Sequence, residues 1–237
     1  MHFLMYYMCE GLLMAEIING ICVARSRKNC GNCLVIYDID RKRIYRIISN
    51  DIDRIDGELF DNECMLNIGR LIENLDNVLI MVKNRIPIDD EYQKENLFFE
   101  NNEIKFIKKI NKDELIDLYG GEKLNSHPFI FYNTWGSMNE IEAKKCQTSF
   151  IIAKVYSLEF YIANNKKGER TCKCKFKYNC KNYVDISVTI CKDKNTDILY
   201  YAGKHYSSAL VCFSFGHPYE GKCFKYLCSF LGYWKWR

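Results

Sequence analysis

The apolar residues of this chain occur in short runs of strand length, and this spacing constrains the fold more than any other feature. Runs that partly alternate with polar residues and end at turn residues predict β-strands. The predicted strands are 17–24, 33–39, 44–48, 78–82, 97–99, 104–110, 149–164, 170–178, 183–190, 199–202, 209–215 and 223–230. Helical spacing at 64–75 and 111–119 predicts one or two short helices. Many short strands with so few helices favour a mainly β chain of two small barrels over a sheet of alternating strands and helices.

Length and composition agree with two compact halves. The chain has 237 residues, 48% of them hydrophobic and 27% charged, which excludes a disordered or fibrous protein. An aromatic content of 14% suits half-buried strands. We expect an N-terminal extension at 1–16, a first barrel at 17–119, an irregular linker at 120–148 and a second barrel at 149–237. A hairpin around Asn101-Asn102 is expected to join strands 97–99 and 104–110.

Charge is divided unevenly along the chain. Residues 1–163 carry 20 Lys and Arg against 25 Asp and Glu, whereas residues 164–237 carry 14 against 5. The net charge of +4 is therefore the sum of a basic C-terminal third and a mildly acidic remainder. Such a division indicates an anionic partner for the basic third.

The segment Arg170–Tyr178 alternates strictly between two kinds of side chain. On a strand, one face would carry Cys172, Cys174, Phe176 and Tyr178. The opposite face would carry Lys173, Lys175 and Lys177. A lysine stripe of this kind can follow a phosphate backbone. It is equally typical of a solvated strand face or of lysines that protect a sheet edge.

Thirteen cysteines raise the question of disulfides or metal. The number is odd, and nothing in the sequence resembles a secretory leader, so we expect reduced thiols in a cytoplasmic protein. The pair Cys30 and Cys33 has half of a zinc-knuckle spacing, and Cys64 stands alone downstream. A second group of cysteines has spacings that match no zinc finger or zinc ribbon. Its members are Cys172, Cys174, Cys180 and Cys191. No metal and no other cofactor is predicted.

Three classes of function remain open at this point. For an enzyme, His217 and the polar trio Gln93, Glu95 and Asn96 are the nearest candidates, but they form no catalytic motif, and we name no catalytic residue. For a protein-interaction module, the tail 231–236 could dock on a partner, although packing onto its own barrel is the preferred interpretation. The third class is a nucleic-acid-binding protein. The apolar runs are too short to cross a membrane.

Four motifs carry a family resemblance. They are Ala24–Lys28 followed by Cys33; Val78–Val82 followed by Gln93-Lys-Glu-Asn96; Lys175–Tyr178 followed by Tyr183 and Val188-Thr189; and Phe215–Gly221 followed by Phe224-Lys225. In this order, from residue 17 to 230, they resemble the dual-OB domain-containing proteins of bacteria and archaea. The resemblance implies two OB-like barrels and nucleic-acid binding in defence-associated settings. Arg25 stands where the family pattern has Asn, and Ile190 where it has an acidic residue.

The charge pattern and the resemblance together select the candidate residues. The expected nucleic-acid contacts are Arg25, Arg27, Lys28, Lys173, Lys175, Lys177 and Lys225. The residues expected to form the family motifs are Cys33, Gln93, Glu95, Asn96, Phe176, Tyr183, Thr189, Gly216 and Pro218. The expected partner is single-stranded DNA or RNA, with a protein partner as the alternative.

Overall fold

The computed structural model describes residues 15–28, 31–51, 54, 57–84, 91–164, 168–190 and 198–234. Within these ranges the chain forms eleven strands and two α-helices. In chain order they are β1 Ala15–Lys28, β2 Gly31–Asp38, β3 Arg43–Ile48, β4 Asp76–Asn84, β5 Asn96–Lys109, α1 Lys112–Tyr119, β6 Ser137–Asn139, α2 Glu140–Lys144, β7 Phe150–Asn164, β8 Arg170–Tyr178, β9 Lys181–Val188, β10 His205–Phe215 and β11 Lys222–Tyr233. No helix in the described part of the chain has both the length and the apolar character needed to cross a bilayer.

The first five strands close into a barrel. Their order around the barrel is β1-β2-β3-β5-β4, and β4 pairs back with β1. Strands β3 and β5 run parallel, while the other neighbours are antiparallel. Alternate residues such as Ile18, Ile36, Val78 and Ile104 point inward and form the barrel core.

The last five strands repeat this arrangement. Their order is β7-β8-β9-β11-β10, with β10 paired back to β7, and again the third and fifth strands, β9 and β11, run parallel. The core is aromatic: the Phe176 ring stacks on the Tyr183 ring at a centroid distance of 4.9 Å. Strand β6 extends the sheet beyond β11. The predicted fold, mainly β with two OB-like barrels, is confirmed.

The two barrels share a third apolar core on their outer faces. The first barrel contributes Ile21, Val23, Val35 and Tyr37, and the second contributes Phe150, Ile152, Leu210 and Cys212. Every one of these residues is buried. We call this contact the inter-barrel core. Because burying apolar area is the main favourable contribution to folding, it holds the two barrels together.

Helix α1 closes one side of the inter-barrel core. Leu115 and Tyr119 point into it, and the Tyr37 hydroxyl donates to the Leu118 carbonyl at 2.9 Å. The helix begins at Asn111, whose side chain accepts from the backbone N–H groups of residues 113 and 114. The cap residue and the early acidic residues predicted this helix, and its existence is confirmed.

Three predicted elements are wrong. The expected hairpin at 97–110 is one strand, β5. Its pairing with β4 shifts register between Ile80 and Val82, and the extra residues, which include Asn101-Asn102, lie in β5. The expected helix at 64–75 is a short 3-10 turn, Asp61–Cys64, followed by a tight turn at Gly69, where φ is +78°. The expected strand at 199–202 is a 3-10 helix, Ile198–Tyr201, that places Tyr201 against Phe160.

The segment expected to be irregular, 120–148, contains β6, α2 and a 3-10 helix, Gly121–Asn125. Its Ile130, Met138 and Ala143 are buried in the core of the second barrel. The domain boundaries at 119 and 149 stay a prediction. The expected N-terminal extension, 1–16, lies outside the described residues except for Ala15 and Glu16, which open β1.

The inter-barrel core can be tested at α1. Replacing Leu115, which has no exposed surface, with Ala should lower the free energy of unfolding by about 2–5 kcal/mol, because it leaves a cavity. Chemical denaturation followed by fluorescence measures this change. The exposed Asp117→Ala is the matched control on the same helix and should stay within about 0.5 kcal/mol of the wild type. Equal stabilities of the two variants would contradict the role given to the inter-barrel core.

Candidate nucleic-acid interface

The lysine stripe of β8 forms as the alternation predicted. Cys172, Cys174, Phe176 and Tyr178 are buried in the second core. Lys173, Lys175 and Lys177 therefore point to the outer face of the second barrel. Two of them, Lys175 and Lys177, are exposed, and Lys173 is half-buried.

Lys175 has a carboxylate beside it. Its ammonium lies 3.0 Å from Glu159 on β7, and the two side chains are 48% and 41% exposed. An ion pair with both partners in water contributes roughly 0–1 kcal/mol, because solvent screens the charges. A phosphate that brings several contacts can therefore displace Glu159 from Lys175.

Lys173 and Lys177 lie at opposite ends of the stripe and differ in environment. The Lys173 ammonium donates to Ser187 Oγ on β9 at 2.7 Å. Burial lowers the pKa of Lys173, and the nearby Asp185 carboxylate opposes that shift. Lys177 has no ion-pair partner among the residues that the structure describes. It is the lysine of the stripe most open to an incoming anion.

Two tyrosines lie between and beside the lysines. Tyr161 on β7 is the register partner of Lys173, and its hydroxyl reaches over β8 to donate to Asp185 Oδ1 on β9 at 2.6 Å. Tyr156, the register partner of Lys177, is 42% exposed. We call the surface formed by Lys173, Lys175, Lys177, Tyr156 and Tyr161 the basic face. The sequence analysis did not single out these two tyrosines, although their side of β7 follows from the strand period.

Two β-bulges flank β8 on the basic face. The pairing of β7 with β8 shifts register between Tyr156 and Glu159, and the pairing of β8 with β9 shifts opposite Lys175. Ser157 and Asp185, within the bulges, adopt positive φ values of 51° and 59°. Bulges turn side chains and increase local twist, and they are frequent beside functional sites. Here they bring additional side chains onto the outer surface on both sides of the stripe.

The corresponding face of the first barrel is closed. On β2, Val35 and Tyr37 belong to the inter-barrel core, and Ile44 of β3 packs against the same core. OB-like barrels bind oligonucleotides on the face of their second and third strands. That face is covered by α1 in the first barrel, and it is open in the second barrel, where the second and third strands are β8 and β9.

Arg25, in the N-terminal basic cluster, is buried and does not lie on the basic face. Arg25 is only 6% exposed, and its guanidinium donates to Asn32 Oδ1 at 3.1 Å, so the prediction that it contacts nucleic acid is wrong. Its role is to connect β1 with β2. Arg27 and Lys28 end β1, and their side chains lie outside the described residues.

The prediction that Lys225 contacts nucleic acid is also wrong. Lys225 has no exposed surface, although it lies on β11 in the second barrel. Its ammonium donates to the carbonyl of Ile130 at 3.1 Å and to both the carbonyl and the side-chain oxygen of Asn133. Burial lowers its pKa to about 8. The side chain anchors the segment 120–148, which we call the connecting segment, to the second barrel.

The polar trio Gln93, Glu95 and Asn96 lies between the barrels. Gln93 accepts from the Arg46 guanidinium in the first barrel and donates to the Phe215 carbonyl in the second at 3.3 Å. Glu95 Oε1 accepts from the backbone and the hydroxyl of Ser149, and burial raises the pKa of this carboxyl. Asn96 opens β5 and pairs with Arg46 in the ladder. The trio therefore joins the barrels, which leaves it little surface for a ligand.

The remaining motif residues have structural positions. Phe176 and Tyr183 stack in the second core, and Cys33 packs against the inter-barrel core. The Thr189 and Gly216 N–H groups donate to carbonyls of β11, at 3.0 and 3.2 Å. Pro218 is half-buried in the loop between β10 and β11.

Three further sequence features also have structural explanations. Ile190, where the family pattern has an acidic residue, is 8% exposed and packs in the second core. The His217 ring packs edge-to-face against the Tyr92 ring, with 5.9 Å between the ring centroids. Trp234 of the tail packs against the inter-barrel core, and residues 235–236 lie outside the described part of the chain.

The cysteines are distributed over several environments. Cys172 and Cys174 are buried and Cys180 is exposed, while Cys30 and Cys191 lie outside the described residues. Over the described ranges, no group of three or more His, Cys, Asp or Glu side chains is placed to hold a metal ion.

The buried position of Lys225 makes a prediction that separates stability from binding. Lys225→Met should lower the free energy of unfolding by about 1–3 kcal/mol, because buried carbonyls lose their donor. The folded pKa of Lys225, about 8, lies below the ordinary lysine value of 10.5, so the unfolded state holds more protons between these pH values. The stability of the wild type should therefore rise with pH across that window relative to the variant. Denaturation at a series of pH values measures both effects.

The same variant should leave the salt dependence of oligonucleotide binding unchanged, since the ammonium cannot reach a phosphate. A flatter salt dependence together with unchanged stability would place Lys225 on the surface and contradict the structure.

Comparisons with known proteins agree with the two barrels. Each half has the strand order of an OB-like barrel, so the fold defines a protein with two such domains in tandem. The family model described as "Dual OB-containing domain" matches residues 18–229. The chain therefore belongs to the dual OB-containing domain family.

Other comparisons add little. A search of curated proteins finds no match. Among solved structures, one described as "Molecular basis for abrogation of activation of pro-inflammatory cytokines" covers 90% of this chain and 88% of its own, at 12% identity and a TM-score of 0.33. A likeness at this level carries no argument about fold or function.

Proposed function

We propose that this protein binds single-stranded nucleic acid on the basic face of its second barrel. The observation that carries the proposal is the placement of three lysines on β8 beside two tyrosines on β7, on one open face of the second barrel. Lysines supply contacts to phosphates, and tyrosine rings supply surfaces on which bases stack. Both kinds of group are needed, because phosphate contacts alone do not distinguish a single strand from a duplex.

The dimensions of the basic face support a short single-stranded site. Lys173 and Lys177 are four residues apart on a strand, so the stripe is about 13 Å long. Because Tyr161 reaches from β7 across β8 to Asp185 on β9, the face is about 10 Å wide. At ~3.4 Å per stacked nucleotide, a patch of this length spans about four nucleotides, the lower end of the ~4–16 that one OB domain binds.

Charge outside the basic face supports the same location. The first 163 residues have more Asp and Glu than Lys and Arg, whereas the basic third begins at residue 164. A polyanion would be repelled by the former and attracted to the latter. The acidic first barrel therefore favours binding to the second barrel.

The biological setting belongs to the proposal as well. We propose a cytoplasmic role in a defence-associated system, which rests on the family resemblance and not on the geometry. The chemistry of the basic face suits DNA and RNA alike, because neither stacking nor phosphate contact depends on the sugar.

The lysines can be tested together. The triple variant Lys173→Gln, Lys175→Gln and Lys177→Gln should bind a single-stranded oligonucleotide roughly 100-fold more weakly at ~0.1 M salt, since each phosphate contact on a single strand contributes about 0.7 to the salt slope. The slope of log affinity against log salt should become shallower by about 2. Fluorescence anisotropy at several salt concentrations measures both quantities.

A matched control removes the same charge elsewhere. Lys105, Lys108 and Lys123 are exposed and lie outside the second barrel. Their triple Gln variant should retain most of the affinity. If the two triple variants weaken binding equally, the effect comes from net charge, and the location on the basic face is wrong.

A further inference from the structure

Trp135 is the most exposed large aromatic residue among those described, with 68% of its surface open to solvent. A tryptophan normally buries 150–250 Å² on folding, so this exposure is unfavourable unless the ring meets a ligand or a partner. It lies in the connecting segment, outside the strands of either barrel.

The segment that carries Trp135 lies against the edge of the basic face. A Cβ on Gly136 would fall 2.6 Å from the Asp185 carbonyl oxygen of β9, so the two backbones are in direct contact and only glycine fits. Asp185 in turn accepts from the Tyr161 hydroxyl. Trp135 is thus one residue away from a contact with β9, at the edge opposite β7.

The segment is also held firmly. The Gly136 carbonyl accepts from the Lys225 N–H at 2.9 Å, and the Lys225 ammonium binds the carbonyl and the side-chain oxygen of Asn133. The Trp135 N–H donates to the same Asn133 Oδ1 at 2.9 Å. The backbone around Trp135 is therefore fixed on both sides, which lowers the entropy lost when a ligand binds the ring.

We infer that Trp135 is a stacking platform for an unpaired nucleobase of a strand whose phosphates lie along Lys173, Lys175 and Lys177. This inference rests on the proposed function and adds a reason for its selectivity for single strands over duplexes. A base in a duplex is already stacked on both faces, so the ring contributes only to binding of single strands. The connecting segment, not a barrel strand, supplies this platform.

The surroundings of the ring favour a nucleobase over an apolar protein segment. The nearest described strands are β9 and β11, and β9 pairs with β8, which carries the lysine stripe. Charged residues are depleted at the centre of protein–protein interfaces. A base attached to a phosphate chain matches both the ring and the neighbouring ammonium groups. A protein partner would have to desolvate those groups.

The test compares Trp135→Leu with a matched control, Tyr219→Leu. Tyr219 is 66% exposed in the loop between β10 and β11, two strands that do not pair with β8. Trp135→Leu should weaken binding to an oligothymidine about 5- to 100-fold, the range expected for one stacked base, and Tyr219→Leu should not. Trp135→Phe, which keeps a ring, should recover part of the loss.

An oligonucleotide of the same length made of abasic sites isolates the stacking step. It keeps the phosphates but offers no base, so Trp135→Leu and the wild type should bind it equally, and with the same salt slope. A loss that is equally large on the abasic strand or on duplex DNA would overturn the inference, because the residue would then act through the structure of the segment.

The two proposals fail in different ways. If Trp135→Leu binds oligothymidine as tightly as the wild type while the Lys173, Lys175 and Lys177 triple variant does not, the stacking inference is wrong and the proposed function stands. If the wild type binds no single strand, both are wrong, and the exposed ring marks a protein contact instead.

Discussion

The apolar inter-barrel core is the contact on which the rest of the structure depends. Two barrels with the same strand order meet through outer residues that would otherwise face water, such as Val35 and Tyr37 on one side and Ile152 and Leu210 on the other. Helix α1 fills the remaining space with Leu115 and Tyr119. This contact uses the face of the first barrel that an OB-like domain normally offers to a ligand. It therefore decides which barrel is left with an open face.

Polar groups fix the arrangement that the apolar contact allows. Gln93 and Glu95 of the first barrel form hydrogen bonds with residues of the second barrel. Lys225 donates hydrogen bonds to backbone carbonyls of the connecting segment and so holds that segment in place. These buried groups are costly unless they are paired, so they specify one relative position of the pieces. As a result the segment carrying Trp135 is placed at the edge of β9. Packing and buried hydrogen bonds thus explain most residues of the family motifs.

The sequence predicted what is decided locally and missed what depends on distant partners. The alternation of 170–178 is visible in nine residues, and Asn111 marks its own helix, so β8 and α1 are confirmed. The burial of Lys225 depends on Asn133, 92 residues away, and that of Arg25 on a side chain of the neighbouring strand. Nothing in a run of lysines and arginines reveals such partners. The bulges at Ser157 and Asp185 likewise depend on the register between two paired strands, which cannot be predicted from the sequence of one strand alone.

Photo-crosslinking with a single-stranded oligonucleotide containing 5-iodouracil tests the central claim most directly, because it reports which rings touch the bases in the wild-type protein. Mass spectrometry of the crosslinked peptides should identify Tyr156 or Tyr161 on the basic face, or Trp135 at its β9 edge. Crosslinks confined to residues 15–109 would place the ligand on the first barrel and contradict the account.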